Sequence, residues 1–87
     1  MTYRMLLAPP ARRALEQSLP ESVAAAAWEF IQGPLAENPH RVGRALSGSL
    51  AGTWSARRGD YRVVYTIDDG VATVLMLRIG HRRSIYR

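Results

Sequence analysis

Apolar positions recur at helical spacing in the first half of the chain and at strand spacing in the second. Val23, Ala27, Phe30 and Ile31 follow at steps of four, three and one, which marks the buried stripe of a helix. Pro20 and Glu21 open that helix, a fixed φ in the first turn followed by an acid at the positive end of the dipole. Gly33-Pro34 is expected to end or kink it. Ahead of it, "ARRALEQSL" (11–19) predicts a shorter helix with Ala11 and Leu15 on one face, led in by Pro9 and Pro10. "TYRMLL" (2–7) predicts a strand, because the run is short and "APP" closes it. "LAENPHRVG" (35–43) reads as a last helical turn and a loop. From residue 50 the period becomes two. "LAGTWSA" (50–56), "YRVVYTI" (61–67) and "VATVLMLRI" (71–79) predict three strands, the last two joined by Asp69-Gly70, a two-residue hairpin signal. The order β-α-α-β-β-β describes one α+β domain over 1–87. Its sheet is four-stranded and antiparallel-rich, a helical hairpin covers one face, and a short C-terminal tail follows.

The hairpin locates the polar residues within "YRVVYTI". Arg62 points away from the face shared by Tyr61, Val63 and Tyr65. A two-residue turn sets Arg62 opposite Leu77 and Tyr61 opposite Arg78, and a one-residue slip exchanges those partners. Either way Arg62 stands at the end of the hairpin where the chain leaves the sheet as "GHRRSIYR" (80–87), with Arg57 and Arg58 close by.

Charge sharpens this picture. The formal net charge is +5, and every basic residue is arginine. Codon bias in a GC-rich genome is the plain reading of the missing lysine, but it does not explain where the arginines sit. Residues 1–56 hold five arginines against four acids, whereas 57–87 hold seven against three. A cationic end on a small domain fits a polyanionic partner. There is no cysteine, hence no disulfide and no thiolate metal site, which fits a cytoplasmic protein. The opening "MTYRMLLAPPARR" is too short an apolar run for a signal peptide, and nothing approaches the roughly 20 apolar residues of a membrane span. Two histidines 41 positions apart give no metal spacing, and no glycine-rich loop offers a phosphate or cofactor seat. No metal and no small-molecule cofactor are therefore expected.

The candidate chemistry belongs to arginine, histidine and tyrosine. Arginine is always charged and forks onto two phosphate oxygens, but is a poor acid or base near pH 7. Proton transfer would fall to His81, which titrates in the useful range, or to Tyr86, whose phenol needs nearby positive charge. Each candidate has a plainer reading beside it. Arg62 serves a phosphate or a cross-strand ion pair. Arg57 and Arg58 bind RNA or form a charged turn. Arg82 acts in catalysis, on the charge of the reacting phosphate, and Arg83 and Arg87 bind RNA, or these arginines simply solvate the tail. Tyr86 reacts, stacks on a base, or plugs the tail onto the sheet, and His81 reacts or packs at a strand end. His40 reads as a capping or surface residue. Trp28 and Trp54 read as core or rim packing, and Tyr3, Tyr61 and Tyr65 as sheet packing.

"LAGTWSARRGDYRVVYTIDDG" followed by "LRIGHRRSIYR" resembles the RelE family of toxins from bacterial toxin–antitoxin systems. "GDYRVVY", the terminal "HRRSIY" and "NPHRVGRAL" carry the likeness, which spans nearly the whole chain. The resemblance implies a metal-independent endoribonuclease that cuts mRNA in the A site of the 30S ribosome by 2′-OH attack. It also implies neutralisation by a RelB-like antitoxin, through which the complex binds its own operator DNA. Arg62 matches the family's arginine on the third strand, Arg82 (or Arg83) the arginine of the last segment, and Tyr86 the terminal tyrosine. Thr53 and Ser55 stand where the best-known members carry lysines, one of them assigned to proton transfer; Arg57 and His81 are the substitutes at hand. The wider superfamily holds a second expectation, ParE-like inhibition of DNA gyrase, a binding function without catalysis.

Overall fold

Strand β1, Arg4–Leu7, runs into a helical segment whose first turn is Pro9–Arg13 (α1). Two prolines suit that turn because its N–H groups have no intrahelical acceptor. The computed structural model describes residues 2–81; Met1 and residues 82–87, including the candidates Arg82, Arg83, Tyr86 and Arg87, lie outside the described residues. Wide i→i+5 turns prolong α1 through Ala14–Ser18. Helix α2 spans Glu21–Phe30, and a second wide stretch carries it through Ile31–Leu35. Gly33-Pro34 therefore does not stop the helix. The wider turn removes the need for a proline N–H and relieves its ring of the carbonyl it would otherwise meet.

The expected loop at 35–43 contains a short helix, α3, Pro39–Val42. Asn38 caps it by accepting the Arg41 N–H at 3.2 Å, and Pro39 takes the first helical position. A two-residue strand β2, Arg44–Ala45, follows, then a single 3₁₀ turn at Gly48–Leu50. Strand β3 is Trp54–Arg58, β4 is Tyr61–Asp68 and β5 is Thr73–His81. The first long strand thus begins later than expected, since Ala51 and Gly52 turn the chain ahead of it.

The sheet has five strands, not four, in the order β1-β5-β4-β3-β2. β1 lies parallel to β5 and every other pair is antiparallel. The fifth strand, β2, is too short for its alternation to show in the sequence. One face packs on the helices: Ala11, Ala14, Ala27, Phe30, Ile31 and Leu35 meet Ala56, Tyr61, Val63, Tyr65, Val74, Met76 and Ile79. Among the described residues no helix is long and apolar enough to cross a membrane.

Candidate functional site

Turn chemistry sets which side chains meet. β3 and β4 are joined by Gly59-Asp60, with Gly59 at φ 59°, where a side chain would be strained. This tight turn pairs Arg58 with Tyr61 and places Arg57 directly opposite Arg62. At the other hairpin the expected two-residue Asp69-Gly70 turn is not formed. Asp68 pairs with Thr73, and residues 69–72 make the connection. The Asp68 carboxylate accepts the Gly70 N–H at 3.0 Å, and Ala72 takes φ 46°, so the chain reverses two residues later than the sequence signal. A bulge between Val64 and Tyr65 then moves the register again. Arg62 faces Gly80, not Leu77, and Tyr61 faces the backbone of His81, not Arg78.

Side chains on directly paired residues share a face. The face turned away from the helices therefore carries two rows across the sheet. One runs Arg44, Ser55, Val64, Arg78; the next runs Arg57, Arg62, Gly80. No acid stands in either row. Arg44, Leu46, Leu50, Ser55, Arg57 and Arg62 line a groove of about 460 Å³. Like charges set opposite one another cost roughly 0.2–1 kcal/mol. This juxtaposition falls on the face turned away from the helices.

Alternation also separates the candidates. Arg57 and Arg62 come together, but Arg58 points to the helix face and stacks over Phe30, 4.8 Å from the ring centroid. The two neighbours cannot serve one groove. β5 carries the chain to Gly80, which pairs with Arg62, and to the backbone of His81. Arg44, Leu46 and Leu50 were not foreseen as site residues. Their signal was faint: Arg44 lies in "NPHRVGRAL", but no periodicity showed that a two-residue strand would bring it beside Ser55. Of the two positions expected to hold lysine in relatives, Ser55 is buried in the groove, whereas the Thr53 hydroxyl donates to the Leu50 carbonyl at 2.6 Å and precedes the strand.

The groove wall is anchored from behind. Buried Tyr65 donates its hydroxyl to the Pro39 carbonyl at 2.7 Å, and burial pushes its phenol up to about 12. Gly43 passes against that hydroxyl, and Arg44 follows. At the far end of the sheet, Asp69 accepts the Tyr3 hydroxyl at 2.6 Å and meets His40 Nε2 at 2.9 Å. The Tyr3 hydrogen bond, then His40, holds the Asp69 carboxyl below the usual carboxylate range. Tyr3 itself is raised, chiefly by the same hydrogen bond. Tyr61 is raised by burial against the opposing pull of Arg58.

The model of the family described as ParE toxin of the type II toxin–antitoxin system parDE matches residues 6–86. This chain belongs to that toxin family, within the RelE/ParE superfamily. The toxin is 52% identical over 85 residues to Toxin RelE of Mycobacterium tuberculosis, covering 98% of this chain and 87% of the relative. It is 49% identical over 87 residues to Toxin RelG of the same organism, covering 100% and 99%. The toxin also matches a chain of the solved M. tuberculosis RelBE2 toxin–antitoxin complex at 48% identity and a TM-score of 0.89, covering 94% of this chain and 100% of that one. The RelE resemblance and the α+β fold are borne out, and nothing favours the gyrase reading over the RelE one.

Proposed function

We propose that the toxin is a ribosome-dependent endoribonuclease that cuts mRNA without a metal, with the arginine face of the sheet as the phosphate seat. The observation that carries this reading is the acid-free pair of rows, in which Arg57 and Arg62 stand opposite one another beside Arg44 in a groove. Two forked guanidiniums across one groove suit the equatorial oxygens of a five-coordinate phosphate. The 2′ oxygen attacks phosphorus, the P–O5′ bond breaks, one proton leaves the 2′-OH and another reaches the departing 5′ oxygen. The groove's described residues are arginines, leucines and a serine, none of which exchanges a proton near neutrality. His81, next in sequence to the Gly80 that pairs with Arg62, and Tyr86 are proposed for those transfers, with Arg82 completing the charge. Arg83 and Arg87 are proposed to hold RNA outside the cut. The ribosome would supply positioning of the message.

Neutralisation is proposed to come from a RelB-like antitoxin whose acidic segment lies over the same arginines. A relative at 48% identity was solved as a toxin–antitoxin complex, which supports such a partner. The test is end-group analysis of mRNA cut on programmed ribosomes. A 2′,3′-cyclic phosphate upstream and a 5′-OH downstream are expected, and a 2′-deoxy ribose at the scissile position should resist cutting. A 5′-phosphate downstream, or efficient cutting of the 2′-deoxy substrate, would overturn the mechanism. Broken DNA with intact mRNA after induction would establish gyrase poisoning in its place.

A further inference from the structure

The groove's outer wall hangs on a strand that cannot hold itself. β2 pairs over only two residues, and one further backbone bond, Leu46 N–H to the Thr53 carbonyl at 2.9 Å, extends that contact. Pairings this short are marginal in water. What fixes β2 must therefore come from the segment before it. That segment is α3, and its exposed side meets two elements through the side chain of His40. His40 Nε2 lies 2.9 Å and 3.1 Å from the two oxygens of Asp69, on the β4–β5 connection. The same carboxylate accepts the hydroxyl of Tyr3, just ahead of β1. The His40 ring stands edge-on to Trp54 of β3, with centroids 5.0 Å apart and planes at 84°. Four positions later the chain delivers Arg44 to the groove.

We infer that His40, clasped between Asp69 and Trp54, is a positioning residue that sets Arg44 and Leu46 at the groove wall from the opposite end of the sheet. This rests on the reading of the groove as a phosphate seat. An exposed ion pair alone is worth little. Here the single Nε2 reaches both oxygens, the carboxylate is shared with Tyr3 and the ring is backed by an aromatic edge, while β2 has almost no pairing of its own. Added to the buried Tyr65–Pro39 bond that holds the other side of α3, a small contribution is therefore enough to change how often β2 opens.

Two measurements on the full chain test it. Amide exchange reports local opening directly. His40→Ala should speed exchange at Leu46 by about threefold to fivefold relative to the β4–β5 core amides, the scale of an exposed pair. His40→Gln, which keeps a side-chain N–H, should restore much of the protection, and Asp69→Asn should resemble His40→Ala. If Leu46 changes only in step with the core, His40 is an ordinary surface contact and the inference fails. The second measurement is the salt dependence of binding to a 2′-O-methyl oligoribonucleotide, which the toxin cannot cut. Losing one phosphate contact on a single strand lowers the slope of log K against log salt by about 0.7. Arg44→Ala should lose that amount, His40→Ala a measurable part of it, and the double variant no more than Arg44→Ala alone. Additive losses, or an unchanged slope beside a loosened Leu46, overturn the link between His40 and Arg44. Salt-independent binding by the wild type would overturn the phosphate seat itself, and the exchange data would still decide the clasp.

Discussion

Gly43→Ala is the sharpest test of how the groove wall is held. Gly43 lies at φ −124° and ψ −172°, an extended conformation open to any residue, so glycine's conformational freedom is not what the site uses. What it uses is the missing side chain. A Cβ at this position would overlap the Tyr65 hydroxyl and come within 2.9 Å of the Ser55 carbonyl oxygen. Tyr65 is fully buried and is held by its hydrogen bond to Pro39, while the Ser55 oxygen belongs to the backbone of β3, so neither yields easily. Overpacking of this kind costs about 1–3 kcal/mol, and displacing the Tyr65 hydroxyl forfeits a further ~0.5–1.5 kcal/mol of hydrogen bonding. The expected loss is about 2–4 kcal/mol, which in a domain of this size lowers Tm by roughly 10–25 °C. The mechanism is separated from general fragility by Tyr65→Phe, which deletes the hydroxyl. That variant alone should lose about 1–3 kcal/mol, because the buried Pro39 carbonyl loses its donor. In its background, Gly43→Ala should cost less than it does in the wild type by more than the ~0.5 kcal/mol error of additivity, since the overlap with the hydroxyl is gone and only the contacts to the Ser55 carbonyl and, at 3.1 Å, the ring Cζ remain. Urea unfolding of the four proteins, at constant m-value, supplies the cycle. Additivity within about 0.3–0.5 kcal/mol would refute the packing argument, as would a Gly43→Ala protein of unchanged midpoint.

The titrating groups and the arginine rows give three more expectations. Tyr65 ionises at about 12 in the folded chain against 10.0 unfolded, so its contribution is complete below pH 10 and is lost as pH rises towards 12. Tm measured across that window should fall less steeply in Tyr65→Phe, and an identical slope would count against the assignment. The Asp69 carboxyl is lowered in the fold, so its contribution is present above the unfolded carboxylate value and is lost as pH falls through the folded one. Asp69→Asn should flatten the acid limb of the stability profile, and an unaltered limb would show that the Tyr3 and His40 contacts do not persist in solution. Arg57→Ala removes one of two like charges set opposite each other, so its Tm should hold or rise by the equivalent of about 0.2–1 kcal/mol while binding to the 2′-O-methyl oligoribonucleotide weakens. A marked loss of Tm would make Arg57 structural.

Some of this molecule is written locally and was legible as such. Period and punctuation located both main helices and the three long strands, and alternation alone turned Arg62 away from Tyr61, Val63 and Tyr65, because these depend on each residue and its near neighbours. The "GDYRVVY" and "NPHRVGRAL" stretches carried the family, since such motifs are contiguous. Other features were decided by groups distant in sequence. The β4–β5 register depended on Asp68 capturing the Gly70 N–H and on a bulge beyond Val64, and a turn signal contains neither. Pro34 stayed inside a helix because the backbone widened around it. β2 exists because Ser55 and Trp54 offer an edge to Arg44 and Ala45; two residues have no period of their own. For the same reason Arg44 was overlooked, and Arg58 was grouped with Arg57 although the strand places them on opposite faces. His40 read as a surface residue because its partners, Trp54 and Asp69, meet only once the sheet has closed. A sequence sets spacing along one strand, whereas a charged groove needs the register between strands, and that register is settled by turns, bulges and side chains acting across the fold.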